Sequence, residues 1–276
     1  MAAALSAGVG YAGHRRAALT LGGAAGAVVV GTSVTGAGGW SWGIAMIYFF
    51  ASSSLLSRLA SERKQLAAAD KFAKGSRRDF GQALANGGVA AALALARRTP
   101  SGARHTETTE AAFVGALAAA TADTWATEVG TLSPRAPRLI TTGRLVTPGT
   151  SGGITALGLA ATVAGATSLG VVMAAARGHP RHGGQPNTAN TARRARLVLA
   201  GLAGGLAGSL ADSLLGALAQ AMYWCPRCEV ETERRVHRCG TPTKYRRGLR
   251  WLDNDAVNTA CSAVGAIVGA ASNQWR

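Results

Sequence analysis

Acidic residues are scarce in this chain. Asp and Glu number 13 against 29 Lys and Arg in 276 residues, and charged residues of both signs amount to only 15%. A soluble helical protein keeps Glu and Lys on its wet faces, and this composition argues against that class. Aromatic residues are also few, at 5%, and are hardly interleaved with the basic runs. The formal charge of +16 therefore reads as loop Lys and Arg obeying the positive-inside rule and touching anionic headgroups. No nucleic-acid partner is expected. Cationic loops at a membrane mouth would also attract phosphorylated substrates. No Gly-Lys-Ser/Thr sequence occurs, so there is no P-loop. No clean cleavable signal peptide is visible. Met1 to Gly13 is apolar but short, and reads as a remnant of an earlier helix or part of a targeting segment.

What the chain has in quantity is small and apolar residues. Hydrophobic residues make up 48%, and glycine alone takes 37 positions. Close helix packing in lipid favours such residues, because they let backbones approach. Ala17 to Ser57 holds no charge and is long enough for two helices, with Gly36-Ala37-Gly38-Gly39 as the turn. Trp40, Trp42, Tyr48, Phe49 and Phe50 are expected as interface anchors. A basic loop, Arg58 to Arg78, carries Arg63, Lys64, Lys71, Lys74 and Arg77. Further apolar runs follow at Phe80–Ala96, Ala111–Ala126, about Ser151–Ala176, Leu197–Tyr223 and Ala256–Ser272. The expected fold class is all-α, a polytopic integral membrane helix bundle of about seven transmembrane helices. It forms a single membrane domain over 1–276, with a cytoplasmic Cys/His-containing loop at 223–253. If the Arg58–Arg78 loop is cytoplasmic, alternation puts Thr131–Thr147 and Cys225–Asp253 on the same side. Arg193, Arg194 and Arg196 then fall outside, against the rule.

Two acids interrupt these runs: Asp123, in Ala122-Asp123-Thr124-Trp125-Ala126-Thr127-Glu128, and Asp212, in Ala211-Asp212-Ser213. An ionisable residue at membrane depth is a functional-site hypothesis by default. Asp123 and Thr127 share a helix face, with Glu128 close by. Carboxylates at a helix end beside a basic loop are the oxygen ligands a magnesium–nucleotide complex needs, so Asp123 and Glu128 are expected to hold Mg²⁺. The bland alternative is an ion pair with a loop arginine. Pro148-Gly149-Thr150-Ser151-Gly152-Gly153 precedes the fifth run, and backbone N–H groups at a helix start would cradle a phosphate there. It would otherwise be an ordinary capped helix start. Asp79, Gln82 and Asn86 repeat along one helical face with Arg77 and Arg78 at its mouth, as in a phosphate clamp; snorkelling arginines and a packed amide are the other reading. Ala-Asp-Ser at 211 echoes Ala-Asp-Thr at 122, which suggests two pseudo-equivalent halves. Asn254, Asp255 and Asn258 open the last run. Cys225, Cys228, His237 and Cys239 lie in one short loop, where they could close a structural zinc site or remain unbound thiols. Cys261 reads as a packed small residue.

Together these motifs resemble the transmembrane protein 19 family, also catalogued as domain of unknown function 92, from about Ala17 to Ala271. The carriers are Ser52–Ser57, Arg78-Asp79-x-x-Gln82-x-x-x-Asn86-Gly87-Gly88, Ala122–Gly130, Pro148–Gly153, Asp212–Ala217 and Asn254-Asp255-x-x-Asn258. A plant and cyanobacterial branch is known as phytyl-phosphate kinase, which makes the diphosphate with CTP. The motif order also looks like that of CTP-dependent dolichol and phytol kinases, although Val146-Thr147-Pro148-Gly149-Thr150 departs from their Lys-Thr-x-Glu-Gly form. The resemblance implies a membrane-embedded phosphotransferase that converts an isoprenyl, phytyl-like monophosphate to the diphosphate with CTP or another nucleoside triphosphate. Asp123, Glu128 and Asp212 would be catalytic. Arg77, Arg78, Asp79, Gln82, Asn86, Thr127, Thr150, Ser151, Gly152, Gly153, Asn254, Asp255 and Asn258 would bind nucleotide and phosphate, and the lipid tail would lie among small-residue helices. The alternatives are an ion-coupled transporter or flippase, and a non-catalytic membrane scaffold. Acids near the cytoplasmic helix ends would favour nucleotide chemistry; acids at the midplane would favour transport.

Overall fold

The computed structural model describes residues 1–67, 77–177 and 188–274, with 61–67 as backbone only. Lys71 and Lys74 of the basic loop lie outside the described residues. Helices dominate the rest: α1 (Ala2–Arg15), α2 (Leu21–Ser33), α3 (Trp40–Ala67), α4 (Phe80–Ala96), the short α5 (Pro100–Arg104), α6 (Thr106–Gly130), α7 (Ala156–Ala176), α8 (Thr188–Leu218) and α9 (Asn254–Ser272). Every apolar run of the sequence contains a helix. Leu21–Gly38, Trp40–Ala60, Ala156–Ala176 and Thr188–Leu218 are long and apolar enough to cross a membrane. Phe80–Ala96 is a shorter apolar helix.

The centre of the bundle is α6, which packs against α7, α8 and α9 and also touches α3 and α4. Every residue from Glu110 to Ala122 is buried. A helix that is apolar all round is a helix surrounded by others. Small residues set how close those neighbours come. A Cβ added at Gly115 would stand 2.1 Å from the Gly265 carbonyl oxygen, and one at Gly204 would stand 2.6 Å from Gly115 Cα. The crossing of α6, α8 and α9 is therefore backbone on backbone, and its geometry exists only with glycine at these points.

Several expectations are corrected. The apolar segment at the start of the chain is helical from Ala2 to Arg15, and it packs on α2. Trp42 and Phe49 are core residues, and Trp42 stacks on Phe113 at 3.9 Å with Arg97 over its ring. Trp40 does stand exposed. The first turn is a π-helical segment, Val34–Gly38, whose end carbonyls accept hydrogen bonds from Arg97 and Arg98. Helix α3 continues through the start of the basic loop to Ala67, and α8 begins at Thr188, inside the polar connector.

The fold is also not purely helical. The sixth run stops at Leu218, and Met222–Cys225 becomes β3, the centre of an antiparallel sheet ordered β4 (Val230–Thr232), β3, β5 (Lys244–Arg247). Tyr223, Trp224, Thr232 and Tyr245 favour strands, and the Cys/His loop needs two tight turns that a helix cannot supply. A second pair, β1 (Arg138–Leu139) with β2 (Gly153–Ile154), braces the loop between α6 and α7.

Arg193 and Arg196, which contradict simple charge alternation, have a local explanation. The buried Glu110 carboxylate is held between Arg177 and Arg193, the latter at 2.8 Å, and Arg196 reaches Glu107 at 3.6 Å. Two of α6's own acids offset these arginines at that end of the bundle.

Candidate active site

At the other end lies a cavity of about 660 Å³. Asp123 and Thr127 face it from α6, Gln82 and Asn86 from α4, Asp212 and Ser213 from α8, and Asn254 and Asn258 from α9. The loop before α7 adds Thr150, Ser151, Gly152 and Gly153, while Ser57, Arg78 and Glu128 close the side toward α3. The motifs of five separate runs thus meet at one end of the bundle.

Asp123 and Asp212 do more than share the cavity: their carboxyl groups are in hydrogen-bonding contact, with Glu233 close enough to act on Asp212. The echoed Ala-Asp-Thr and Ala-Asp-Ser segments therefore face each other across the α6–α8 packing. This changes the expected partnership of Asp123 with Glu128. Five residues of helix rotate Glu128 roughly 140° away from Asp123. The buried Glu128 instead accepts a hydrogen bond from Ser57 Oγ at 2.8 Å and lies within electrostatic reach of Arg78. Asp123 stands seven residues from the end of α6, and Asp212 six from the end of α8. At 1.5 Å per residue both are roughly 10 Å from the same helix ends.

Arg78 is fixed by its backbone, which exchanges hydrogen bonds with Ala18 and Thr20 in a parallel bridge. Burial lowers the pKa of its guanidinium, and the charge of Glu128 raises it. Arg77 does not reach the cavity, because its guanidinium donates to the Leu19 carbonyl at 3.1 Å. Asp79 is likewise a structural residue, the N-cap of α4 in a capping box with Gln82. Two reciprocal bonds satisfy helix-start N–H groups there, and only Gln82 of the pair borders the cavity. Asp255 lies in the first turn of α9 without lining the cavity, and the cap itself is Asp253.

The Gly- and Thr-rich loop departs from expectation in one respect. It does not open α7, whose cap is Thr155, accepting from the Gly158 N–H at 3.0 Å. Thr150 to Gly153 form a turn that precedes the helix and ends in β2. Gly152 has φ +79°, and a Cβ there would meet Ala217 Cβ at 2.5 Å and the Ser213 oxygen at 2.7 Å. The loop is pressed directly onto α8. Ser151 Oγ donates to Gln220 Oε1 at 2.7 Å, and Gln220 Nε2 donates to Glu233 Oε1 at 2.8 Å. A hydrogen-bond chain therefore joins this loop to the end of α8 and to the Cys/His segment.

Sequence reasoning missed Glu233, Arg234, Arg238 and Arg135, all on the cavity wall. They sit in loops of ordinary basic composition, and the one available signal was that Arg238 stands between His237 and Cys239. In that segment the side-chain donors of Cys225, Cys228, His237 and Cys239 lie within 4.8 Å of one another. Hydrogen bonding from Thr241, then His237, pulls the Cys239 thiol down to about 5, and its bond to Cys228 pushes the latter up to about 11.

The model of the family described as integral membrane protein DUF92 matches residues 4–266. The chain belongs to this integral membrane family. It is a multi-pass membrane protein. Protein PGR of Arabidopsis thaliana is 33% identical over 174 residues, covering 59% of this chain and 59% of that protein. Uncharacterized membrane protein MJ0933 of Methanocaldococcus jannaschii is 30% identical over 246 residues, covering 87% of this chain and 82% of its own length. No solved structure matches.

Proposed function

We propose that this chain is a membrane-embedded phosphotransferase that converts an isoprenyl monophosphate to the diphosphate with a nucleoside triphosphate, CTP by resemblance. In that reading α2, α3, α4, α6, α7, α8 and α9 are its seven spans. The observation that carries the proposal is the composition of the cavity wall. It combines a contacting pair of carboxyls, Asp123 and Asp212, with Arg78, Arg234 and Arg238 and a turn of small hydroxyl and glycine residues. Phosphoryl transfer asks for little else, because positioning and charge stabilisation do most of the work. An oxygen of the lipid phosphate attacks the terminal phosphorus of the nucleotide. The new P–O bond forms as the bridging P–O bond breaks, and the nucleoside diphosphate leaves. No strong general base is required, since the attacking phosphate is already an anion. Asp123 and Asp212 are the hard oxygen donors that suit Mg²⁺, which when bound would offset the phosphate charge.

Two further features support the reading. A narrow apolar groove between α1, α2, α3 and α4 is lined by Leu5, Val9, Ala27, Val30 and Ile47, and it shares Arg78, Gln82 and Asn86 with the polar cavity. Such a junction suits an amphiphile, with the first carbons of a prenyl tail in the groove and the rest in lipid. The acids also stand near the helix ends rather than halfway along, which favours nucleotide chemistry over transport. The test is to incubate purified protein with farnesyl, geranylgeranyl and phytyl monophosphates, Mg²⁺, and CTP or ATP. Formation of the diphosphate is expected with at least one lipid, and none with any pairing would sink the proposal.

A further inference from the structure

The segment that brings Arg234 and Arg238 to the cavity has very little core of its own. Its strands are three to four residues long, and Met222, Cys225, Thr232 and His237 are its buried side chains. A module this small needs a cross-link or a metal to hold one shape. Two tight turns supply the donors. The first runs from Cys225 to Glu229, closed by the Glu229 N–H on the Cys225 carbonyl, with Glu229 at φ +52°. The second runs from His237 to Gly240, closed in the same manner, with Gly240 at φ +80°. Each turn aims two donors at a common point.

The spacing of those donors fits a tetrahedral ion. Cys225 Sγ and Cys239 Sγ are 3.7 Å apart, and His237 Nδ1 is 3.2 Å from Cys239 Sγ. A zinc–thiolate bond of about 2.3 Å gives a tetrahedron with edges of roughly 3.8 Å. A disulfide would use two thiols and leave a third beside a buried histidine, whereas one zinc ion uses all four donors.

We propose that Cys225, Cys228, His237 and Cys239 bind one zinc ion, and that this ion fixes Arg234 and Arg238 on the cavity wall as the cations that meet a phosphorylated ligand. Zinc takes the cysteines as thiolates, and those still protonated release their protons to solvent as the ion binds. Arg238 lies between two of the ligands in sequence, and Arg234 is anchored through its carbonyl, which accepts from Thr243 Oγ1 at 2.7 Å. Arg247 ties the sheet to α8 by donating to the Ala217 carbonyl at 2.9 Å. The metal-binding half of the proposal stands alone; the arginine half rests on the phosphotransfer reading.

The experiment has two arms on the detergent-purified full chain. Elemental analysis should find one zinc per chain in the wild type and in Cys261→Ser. It should find a large loss in Cys228→Ser, and Co²⁺ added after chelation should give the absorption bands of a tetrahedral thiolate site. Negligible zinc in the wild type, with no such bands, overturns the metal site whatever the variants do. The second arm measures inorganic pyrophosphate binding by calorimetry before and after zinc removal, with re-addition of zinc. Removal, or Arg234→Ala with Arg238→Ala, should weaken binding by roughly tenfold or more, and re-addition should restore the wild type. Equal binding with and without zinc refutes the arginine half alone. Failure of the zinc-loaded protein to bind pyrophosphate refutes that half together with the phosphotransfer reading, and leaves the first arm standing.

Discussion

Replacing Gly152 with alanine tests whether the loop before α7 is a shaped part of the site. Two costs add at this position. Its φ of +79° lies in the left-handed region, where a Cβ costs about 1–2 kcal/mol. The new methyl would also stand 2.5 Å from Ala217 Cβ and 2.7 Å from the Ser213 oxygen, and overpacking of this kind costs about 1–3 kcal/mol. One of the two surfaces has to move. Helix α8 is packed by α6, α7 and α9, whereas the loop is held mainly by the two-residue pairing of β1 with β2. The loop should therefore yield and lift Ser151 away from Gln220. The expected result for Gly152→Ala is a KM for the nucleotide raised at least about tenfold, since small misplacements of a positioning group have large effects. The two costs together, about 2–5 kcal/mol, should lower the unfolding temperature by roughly 5–15 °C. Gly143→Ala is the internal control, because Gly143 shares a positive φ of +68° but has open space around its Cβ position. It should bear only the conformational cost and keep near-normal KM. If Gly152→Ala and Gly143→Ala behave alike, the close approach of the loop to α8 plays no part in the site.

Asp123→Asn and Asp212→Asn should each lower lipid diphosphate formation by at least about a hundredfold, with unfolding temperatures equal to or above wild type, because a charge is removed from an apolar helix. Wild-type turnover in both at matched expression would show that the pair is not catalytic. Glu110→Gln should destabilise the bundle by about 1–3 kcal/mol, read as a lower midpoint in thermal unfolding, since Arg177 and Arg193 lose their counter-charge but remain partly solvated. An unshifted midpoint would contradict that account. Gln220→Ala cuts the chain from Ser151 to Glu233 and should raise the nucleotide KM severalfold with little change in midpoint; an unchanged KM would make the chain incidental.

The helices were legible because uncharged runs of small residues leave one physical solution in lipid, with every backbone group bonded within its own segment. The meeting of Asp123 with Asp212 was only half legible. Each acid is conspicuous in its own run, and their similar surroundings hint at a relation, but which acid faces which depends on helix rotation and crossing. Those are set by glycines such as Gly115 and Gly204, which carry no pattern of their own. Local capping misled the reading of Asp79, since the spacing that placed it with Gln82 and Asn86 on one face is also the capping-box spacing. Arg234 and Arg238 were nearly invisible for a different reason. Among many loop arginines nothing singles out Arg234, and the one hint for Arg238 is its place between His237 and Cys239, until the sheet Met222–Arg247 is folded.

The contrast between the two ends of α6 separates a structural acid from a candidate functional one. Glu110 is the fifth residue of α6, just before the apolar run, and Asp123 lies inside that run toward the other end. Glu110 is met by Arg177 and Arg193 of the chain itself, so its charge is balanced once the protein is folded. Asp123 is met by Asp212, another carboxyl. Folding alone gives such a pair no reason to exist, because two small apolar residues would pack there at lower cost. The pair makes physical sense where something positive arrives after folding, and the cavity in front of it is open to the loops that carry Arg234, Arg238 and the Thr150–Gly153 turn. An arriving cation that brought phosphates with it would meet opposite charge on both sides. The same logic predicts which variants respond to Mg²⁺: raising its concentration should stabilise the wild type against heat, and should do so much less in Asp123→Asn, while Glu110→Gln keeps the full response. Equal Mg²⁺ stabilisation of all three would remove the reason for treating the two acids differently.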